Sequence, residues 1–477
     1  MKVEEVRAEY AALINPETVA GDRQWKTMGD IAEVIGGGTP RTSDPSNFEN
    51  GDIPWLTPAD LSGYTEKYVS HGARFITGKG LESSSARLLP AGSVLFTSRA
   101  PIGYVAIARN PIATNQGFKS FVLKEGILPE YVYWWLKGAK QTAEGLASGT
   151  TFLELSGANA KKLPVPLVPL DQQKRIVAEI EKQFSRLDKA VANLKRVKAN
   201  LKRYKSAVLK AAVEGRLVET EVEHARREGR SYETGAQLLQ RILETRRSQW
   251  HGKKYKEPAA PDTANLPELP EGWTWCGFEQ VSAAEKHALK AGPFGSALKK
   301  EFYVESGYKI YGQEQVISGD PTFGDYFIDE AKYRELESCA VKPGDLLISL
   351  VGTAGKVLVL PPTAVPGIIN PRLLKLSLDH THIEPAYAAY MLQSAWARHY
   401  FKLQAHGGTM EILNLGIIKA LPVPLPPLAE QNRIVAEVDL RLSLADETER
   451  QLEYNLKRAA ALRNSVLARS FSSPKNL

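Results

Sequence analysis

The chain has 477 residues, of which 43% are hydrophobic and 24% charged, values ordinary for a globular protein of about two to four domains. It has only two cysteines, without zinc-ribbon or disulfide spacing, no apolar run of bilayer length and no apolar secretion signal. We therefore expect a cytoplasmic protein that does not cross a membrane. The net charge of +7 permits an acidic partner such as nucleic acid but does not require one.

The sequence of the first half of the chain predicts an N-terminal arm, a mixed α/β domain and a long helix. Residues 1–24 form the predicted N-terminal arm. From residue 25 to 164, short apolar runs such as SVLFTS, YVAIA and SFVL are separated by Gly, Pro and Asn, which predicts strands, and YVYWWLKGAK predicts a short aromatic helix. We predict a mixed α/β domain over 25–164.

A long helix follows, from 165 to 215. The stretch LPVPLVPLDQQKRIVAEIEKQF begins at Leu163; its prolines exclude a helix until Asp171, which we predict to be the N-cap. Apolar residues then recur every three or four positions, predicting a buried stripe and a helix of about 60 Å at 1.5 Å per residue. The predicted stripe is Ile176, Ile180, Phe184, Leu187, Val191, Leu194, Val197, Leu201, Tyr204 and Val208.

The second half of the chain repeats this plan. A connector, 216–272, contains one predicted amphipathic helix near 234–250 and a linker rich in Pro, Ala and acidic residues. A second α/β domain is predicted over 273–422, with apolar runs LLISLV, KVLVLP and LLKLSL. A second helical spacer, 423–477, opens with LPVPLPPLAEQNRIVAEVDLRL, where Glu430 supports the first helical turn.

Segments of the second half resemble segments of the first, and the number of residues that separates each matched pair rises steadily along the chain. It is 248 for Trp25 and Trp273, 252 for Gly103 and Gly355, and 258 for the two proline-to-helix motifs. A steady drift is what a duplicated unit shows when its second copy has gained loop residues. Because neither helix can bury its apolar stripe alone, we predict that the two helices pack together, antiparallel.

The two helices differ in charge. Between Asp171 and Val213 there are 12 Lys/Arg and four Asp/Glu, an excess of eight positive charges, whereas Ala429 to Phe471 has seven of each. The cluster Lys195, Arg196, Lys202 and Arg203 is predicted to face DNA; a docking surface for an acidic partner is the alternative. Lys198 and Lys205 lie near the apolar stripe and are open to pairing within the helix pair.

No catalytic motif is evident. VGTAGKV, at Val351, lacks the leading Gly and the Ser/Thr of a phosphate loop, and Gly36 to Gly38 lacks the dinucleotide fingerprint, so both are predicted to be turns. His380 and His382 lack completing ligands, so we expect exposed loop histidines and no metal site.

The repeated motif LPVPLxPLxxQxRIVAE, together with TSRAPIG, SGTTFLELSGANAKKLPVP and GGTMEILNLGIIKALPVP, resembles the specificity (S) subunit of Type I restriction-modification enzymes over nearly the whole chain. The resemblance implies an α/β (α+β) fold class: two target recognition domains in tandem pseudo-repeat, separated by two long antiparallel coiled-coil helices. It implies that each domain reads one half of a split double-stranded DNA sequence.

The resemblance also implies that the chain is a non-catalytic subunit. Two methyltransferase (M) subunits, which bind S-adenosylmethionine and modify adenine, would dock on the helices, and restriction (R) subunits driven by ATP with Mg would cut DNA. No cofactor is expected on this chain. The alternative reading is a scaffold without DNA, in which two ligand-binding domains sit on a coiled coil.

Polar and basic residues in loops of each domain are the predicted DNA contacts, because such donors meet phosphates and base edges. In the first domain they are Thr39, Arg41, Arg99, Gln116, Lys119, Lys161 and Lys162. In the second they are Lys286, Lys290, Ser296, Lys356 and Arg372.

Overall fold

The computed structural model describes residues 24–149, 153–251, 254–351, 355–404 and 413–471. The predicted N-terminal arm thus lies outside the described residues, except for Gln24. The chain divides into two compact units, one drawn from Met1–Arg196 and Leu452–Leu477 and the other from Val197–Gln451. Each long helix contributes residues to both units.

The first unit contains three sheets among its described residues. Their strand orders are β2-β9-β6-β7-β4, β5-β3-β8 and β1-β10. The strands are β1 (Gln24–Thr27), β2 (Ala32–Gly36), β3 (Ile53–Leu56), β4 (Tyr68–Val69), β5 (Arg74–Ile76), β6 (Val94–Phe96), β7 (Val105–Ala108), β8 (Ala113–Thr114), β9 (Lys119–Leu123) and β10 (Pro164–Leu167).

Helices cover these sheets and lead into the first long helix. They are α1 (Met28–Ile31), α2 (Gly78–Glu82), α3 (Pro129–Gly138), α4 (Lys140–Gly145), α5 (Gly157–Lys161) and α6 (Leu170–Val213), with 3-10 turns at Pro45–Asn47 and Pro58–Leu61. The core joins strand residues such as Phe96 and Phe121 to Tyr131 of α3 and Ile180 of α6. The aromatic helix predicted from YVYWWLKGAK is therefore the bridge between sheet and long helix.

The described residues of the second unit also form three sheets, but the two larger ones have four strands each. Strand orders are β12-β19-β16-β17, β14-β13-β18-β15 and β11-β20. The strands are β11 (Thr274–Gly277), β12 (Leu289–Ala291), β13 (Tyr308–Tyr311), β14 (Phe327–Ile328), β15 (Ala340–Val341), β16 (Leu346–Ser349), β17 (Val357–Val359), β18 (Gly367–Ile369), β19 (Leu373–Leu376) and β20 (Pro422–Leu425).

The connector helices precede this domain and the second long helix follows it. The helices are α7 (Glu221–Glu228), α8 (Gly235–Ser248), α9 (Phe278–Val281), α10 (Gln313–Ser318), α11 (Glu330–Glu335), α12 (Pro385–Gln393), α13 (Ala395–Gln404), α14 (Leu415–Ala420) and α15 (Leu428–Phe471), with 3-10 turns at Gly295–Ala297, Lys300–Phe302 and Glu337–Cys339. Helix α8 confirms the predicted connector helix. Helix α7 was missed, although Thr220 and Glu223 form a capping box at its start.

The duplication is real and the predicted spacings of 252 and 258 hold, but the predicted pairing of Trp25 with Trp273 and the steady drift are wrong. Trp25 pairs with Pro166 and Trp275 pairs with Pro424, so Trp25 corresponds to Trp275, at a spacing of 250, and not to Trp273. The pairs Gly36–Lys119 and Ala291–Leu374 give 255, whereas Thr97, which follows β6, and Ser349, which ends β16, give 252. The copies therefore differ by both insertions and deletions within the recognition domains.

The repeated proline-to-helix motif holds its helix through a buried glutamine. Gln173 donates to the carbonyl of Val168 (2.9 Å) and accepts from the N–H of Leu128 (2.8 Å). Its counterpart Gln431 donates to the carbonyl of Pro426 (3.0 Å) and accepts from Glu384 N–H (3.0 Å). Helix α6 begins at Leu170, so the predicted N-cap, Asp171, lies inside the first turn: the N–H groups of residues 172 and 173 already donate to the carbonyl of residue 169.

Within each unit the two long helices run antiparallel. In the second unit Lys198 lies 3.8 Å from Glu449 and Lys205 lies 2.5 Å from Asp446, so residue numbers rise along one helix as they fall along the other. In the first unit Asp188 pairs with Arg463, and the earlier residues Ile176 and Ile180 share a core with Leu467 and Phe471. The pairs Asp188–Arg463 and Asp446–Lys205 occupy positions 258 apart, so each helix supplies the acid in one unit and the base in the other.

Candidate nucleic-acid interface

The first recognition domain brings three loops together at one edge of its five-stranded sheet. Gly36, the last residue of β2, pairs with Lys119, the first residue of β9. Just after β6, Thr97 forms a bridge with Phe118. The loops that follow β2 and β6 and the loop that precedes β9 therefore meet.

A glycine is required where two of these loops cross. A Cβ on Gly37 would lie 1.9 Å from the carbonyl oxygen of Asn115, so no side chain fits there. The segment after Gly36 runs without a turn, and none of Gly36, Gly37 and Gly38 has a positive φ, which corrects the predicted turn. The glycine permits close approach of two backbones, and this approach places the following residues beside the β8–β9 loop.

Four predicted residues lie together at this edge. Thr39 Oγ1 donates a hydrogen bond to Gln116 Oε1. Arg99 Nη1 lies 3.3 Å from Glu154 Oε2, and Lys119 Nζ lies 3.6 Å from Glu154 Oε1. Glu154 was not predicted, because nothing in the sequence marks a carboxylate some 35 to 55 residues away as a partner of these cations.

The two cations that pair with Glu154 differ in how readily they could bind another anion. The side chain of Lys119 is only 15% exposed, whereas that of Arg99 is 36% exposed. An ion pair this accessible contributes about 0–1 kcal/mol, so Arg99 can exchange Glu154 for a phosphate at small cost. Lys119 is better placed to hold Glu154 in position.

The other predicted residues of the first domain divide into two groups. Arg41 is exposed, two residues beyond Thr39 in the same loop. Lys161 and Lys162 are exposed too, but Lys161 lies beside Gly29, whose added Cβ would be 3.2 Å from the lysine Cβ. Because Gly29 precedes β2 and Thr39 follows it, the structure does not bring these two lysines into the cluster.

The second domain assembles the equivalent loops with different side chains. The N–H of Ser349 donates to the carbonyl of Lys356 (2.9 Å) and the N–H of Leu350 to the carbonyl of Arg372 (3.0 Å). The side chains of Lys356 and Arg372 are exposed on either side of this strand end. Of VGTAGKV, the residues 352–354 lie outside the described chain, but the segment does join β16 to β17, as predicted.

Ser296 belongs to the same edge. It is exposed in the single turn Gly295–Ala297, shortly after Gly292, whose N–H donates to the carbonyl of Leu373 at 2.9 Å. A Cβ on Gly292 would lie 1.9 Å from the carbonyl oxygen of Asn370, the same close approach that Gly37 makes in the first domain. The two copies thus present their variable loops from the same frame.

Lys290 lies in β12, and Lys286 lies three residues before that strand begins. Lys290 stands opposite Lys375 across the β12–β19 pair, while Lys286 precedes the other end of the strand. Burial and then the positive charges of Lys290, Lys286 and Lys375 lower the pKa of His287. The strand is therefore electropositive, but the structure does not bring Lys286 into the loop cluster.

Two asparagines support the loops and were missed. Asn115 Oδ1 accepts from the N–H of Gly117 (2.9 Å), and Asn370 Oδ1 accepts from the N–H of Arg372 (2.9 Å). An asparagine that accepts from the N–H two residues ahead is a standard turn, so the runs NQG and NPR carried a usable signal. His382 also corrects a prediction: it is buried beside Asp379, and only His380 is exposed.

On α6 the structure separates two kinds of basic residue. Lys205 pairs with Asp446 and Glu449 (2.5 and 2.6 Å) and Lys198 pairs with Glu449, which confirms that these two lysines line the helix pair. The four residues of the predicted basic cluster are exposed, and no described carboxylate forms an ion pair with any of them. They are Lys195, Arg196, Lys202 and Arg203. Residues seven apart on a helix share a face, so these four positions form one basic stripe on α6.

Neither a metal cluster nor a membrane span is found in the described ranges. There, no three His, Cys, Asp or Glu side chains are grouped so as to hold a metal ion. None of the described helices combines the length and hydropathy needed to span a bilayer.

Comparison with known proteins gives relatives of one kind. The specificity subunit of the Type I restriction enzyme MjaIX from Methanocaldococcus jannaschii is 44% identical over 153 residues, 32% of this chain and 35% of that protein. The EcoR124I/EcoR124II specificity subunit of Escherichia coli is 32% identical over 34% of this chain and 41% of its own length. The chain thus matches well under half of these relatives' lengths, whereas the EcoBI specificity subunit of Escherichia coli is 23% identical over 93% of this chain and 84% of its own.

Solved structures share the fold. The HsdS subunit from Thermoanaerobacter tengcongensis covers 96% of this chain and 98% of its own at 17% identity, with a TM-score of 0.55. A chain solved in work on complex assembly and conformational transition of the type I R-M system covers 96% and 99% at 18% identity, with a TM-score of 0.62. The family model described as Type I restriction modification DNA specificity domain matches residues 22–203 and 295–457, so this chain belongs to that family, as a Type I restriction-modification specificity subunit with two recognition domains.

Proposed function

We propose that the chain reads a bipartite double-stranded DNA target, one half-site with each recognition domain. One observation carries the proposal: the same three loops meet at the same sheet edge in both copies, yet their side chains differ. The first copy presents Thr39, Gln116 and Arg99, while the second presents Ser296, Lys356 and Arg372. A common frame with different polar side chains suits two readers of different sequences.

The side chains present have the chemistry of base and phosphate recognition. A glutamine amide can bind adenine through two hydrogen bonds, and an arginine guanidinium can bind guanine or a phosphate in the same way. In the first copy Gln116 and Arg99 supply these groups, and in the second Arg372 does. The exposed Lys356 supplies a point charge that fits a phosphate.

We further propose the partners that the family membership implies. Two methyltransferase subunits and the restriction subunits dock on this non-catalytic chain, and S-adenosylmethionine, ATP and Mg are bound by those partners, in the cytoplasm. The adenine methylation and the ATP-dependent cleavage belong to the partner subunits. The antiparallel long helices within each unit support a docking role, because α6 and α15 keep exposed faces along their length.

Exchange of a recognition domain tests whether each domain reads its own half-site independently of the other. Replacing residues 26–162 with the matching domain of a homologue should change one half-site of the methylated sequence and leave the other unchanged, because the loops that differ lie within that segment. The measurement is mapping of methylated adenines in a host genome. A change in both half-sites would contradict the assignment of one half-site to each domain. A parent chain without specific DNA affinity would favour the scaffold alternative.

A further inference from the structure

The first unit contains an open groove of about 820 Å³ between the first recognition domain and the long helices. Helix α3 contributes one wall, and the first-unit parts of α6 and α15 contribute the others. Aromatic rings and basic groups share the lining, among them Tyr133, Trp134, Lys137, Phe184, Lys189 and Arg463.

Lys137 is one of two lysines of the groove with which no described carboxylate forms an ion pair. Its Nζ lies 5.4 Å from the centre of the Tyr133 ring. Burial, and next the charge of Arg463, lower the pKa of Lys137. A lysine withdrawn from water in this way gains from a negative partner more than a fully exposed lysine does.

The groove's own carboxylates are already engaged. Glu181 pairs with Lys67, and Asp188 pairs with Arg463. Lys189 is exposed in the lining and, within the described chain, forms no ion pair either. The groove therefore has two basic groups to offer an acidic occupant.

The walls favour a protein segment over a DNA backbone. Tyr133 and Phe184 are 3% and 7% exposed, so the floor is apolar and packed. Because Glu181 and Asp188 also line the groove, a single carboxylate placed beside Lys137 is favoured over a continuous run of phosphates, which would pass close to them. A segment that alternates carboxylate and apolar side chains meets both the rings and the lysines.

The second copy shows that this chemistry is not required by the fold. Trp134 Nε1 donates to Glu181 (3.4 Å), and the corresponding Tyr390 hydroxyl donates to Asp439, so the frame is the same. At the position of Lys137 the second copy has Gln393, in the same turn of the equivalent helix. Lys189 is likewise replaced, by Glu447, 258 positions later.

We propose that this groove binds a carboxylate-bearing segment of a partner protein and that Lys137 is the residue that pairs with the carboxylate. The equivalent position of the second copy does not bind it. The inference rests on the proposed function for the identity of the partner used in the test, a methyltransferase subunit.

The test combines zero-length cross-linking with a matched substitution. The full chain and the purified methyltransferase subunit are mixed and treated with a carbodiimide, which joins a lysine amine directly to a carboxylate, and coupled peptides are identified by mass spectrometry. Lys137 should be joined to an Asp or Glu of the partner. Lys137→Gln, which copies the residue found at Gln393, should abolish that cross-link and weaken binding of the partner by about tenfold or more.

Controls separate charge, folding and partner. Lys256→Gln removes a charge from the exposed connector, outside both the groove and the long helices, and should leave partner affinity unchanged, and Gln393→Lys should create no new cross-link. Equal thermal unfolding of Lys137→Gln and the parent chain would show that the groove variant is folded.

The outcomes distinguish the two levels of the proposal. If the partner binds but Lys137 couples to none of its carboxylates, or if Lys137→Gln binds it with unchanged affinity, the groove inference is wrong while the docking function stands. If Lys137→Gln instead weakens DNA binding alone, the groove faces nucleic acid and the inference is again wrong. If the parent chain binds no methyltransferase subunit, the docking function and the groove inference are both rejected.

Discussion

At the scale of single residues, the most informative side chain is Glu430. The sequence marks it as an acid in the first turn of a helix, which it is, but it is also fully buried. It accepts from Trp273 Nε1 (3.0 Å) and from the N–H of Glu221 (2.8 Å), so it ties the connector to the start of α15. In the first copy the same position is Gln172, at the spacing of 258. A periodic pattern can place such a residue in a helix, but only the folded chain shows its distant donors.

Glu430 should make stability depend on pH. Burial raises the pKa of Glu430, so its charged form is disfavoured in the folded state. Its contribution to stability is full below the ordinary glutamate pKa of about 4.3 and is lost as pH rises through the raised value. Glu430→Gln, the residue of the first copy, removes this dependence.

Urea unfolding of both proteins at pH 5 and pH 8 measures it. The stability of Glu430→Gln relative to the parent chain should rise between pH 5 and pH 8 by on the order of 1 kcal/mol. The exposed substitution Glu447→Gln serves as the control and should show no such rise. A difference between Glu430→Gln and the parent that is the same at both pH values would contradict the assignment.

At the scale of elements, the sequence predicted the long helices better than their packing. The stripe on α6 is buried at its ends, at Ile176 and Val208, as periodicity predicted. Near the middle Val197 and Tyr204 are each 42% exposed, so the stripe is not buried throughout. Glu449 of α15 pairs with Lys205, so an ion pair replaces apolar contact between the helices at this point. Apolar spacing alone does not show where a polar contact takes over.

The basic stripe on α6 is expected to contribute to DNA affinity without contributing to sequence preference. Neutralising Lys195, Arg196, Lys202 and Arg203 to Gln should weaken binding to cognate and random DNA alike and flatten the dependence of log affinity on log salt, because fewer counterions are released. Binding titrations over a range of salt concentrations measure both effects.

A matched variant on the other helix controls for net charge. Neutralising Arg450, Lys457, Arg458 and Arg469 of α15 removes the same number of charges and should change the salt slope less. If the α6 variant keeps its DNA affinity and salt slope but no longer assembles with methyltransferase subunits, the stripe docks a protein and the DNA assignment is wrong.

At the scale of the whole molecule, the duplication and the fold class could be predicted from the sequence. The repeated motif combines prolines, a glutamine and apolar residues at helical spacing, and it occurs twice. The family comparison confirms both. The alignment of the copies was harder to predict, because the second copy is three residues shorter between positions 36 and 97 and three residues longer between positions 97 and 119. The loop donors Thr39 and Gln116 were predicted from the sequence and lie together in the structure, and their contact with DNA stays a prediction. Glu154 and the position of Lys161 beside Gly29 depend on contacts that no local pattern encodes.

The helical spacer should set the distance between the two half-sites. Inserting four residues between Lys195 and Lys198 adds about one turn and about 6 Å to α6, which is close to two base pairs of DNA. We expect the two half-sites to keep their bases while the spacer between them lengthens. Methylation mapping would measure the spacer, and an unchanged spacer in an active variant would exclude a distance-setting role for the helix.

The last described residue of the chain has a consequence for synthesis. Phe471 packs edge-on against Tyr131 and Trp135, with ring centroids 5.3 Å apart in both cases, so the core of the first unit includes the end of α15. A ribosome adding about 5–20 residues per second needs roughly 17 to 70 seconds to pass from Trp135 to Phe471. During that interval the first recognition domain has left the exit tunnel with part of its aromatic surface uncovered. The first recognition domain is therefore synthesised first, but its core is completed only when the end of α15 packs onto it. Chaperone binding to nascent chains should fall only after α15 has left the ribosome.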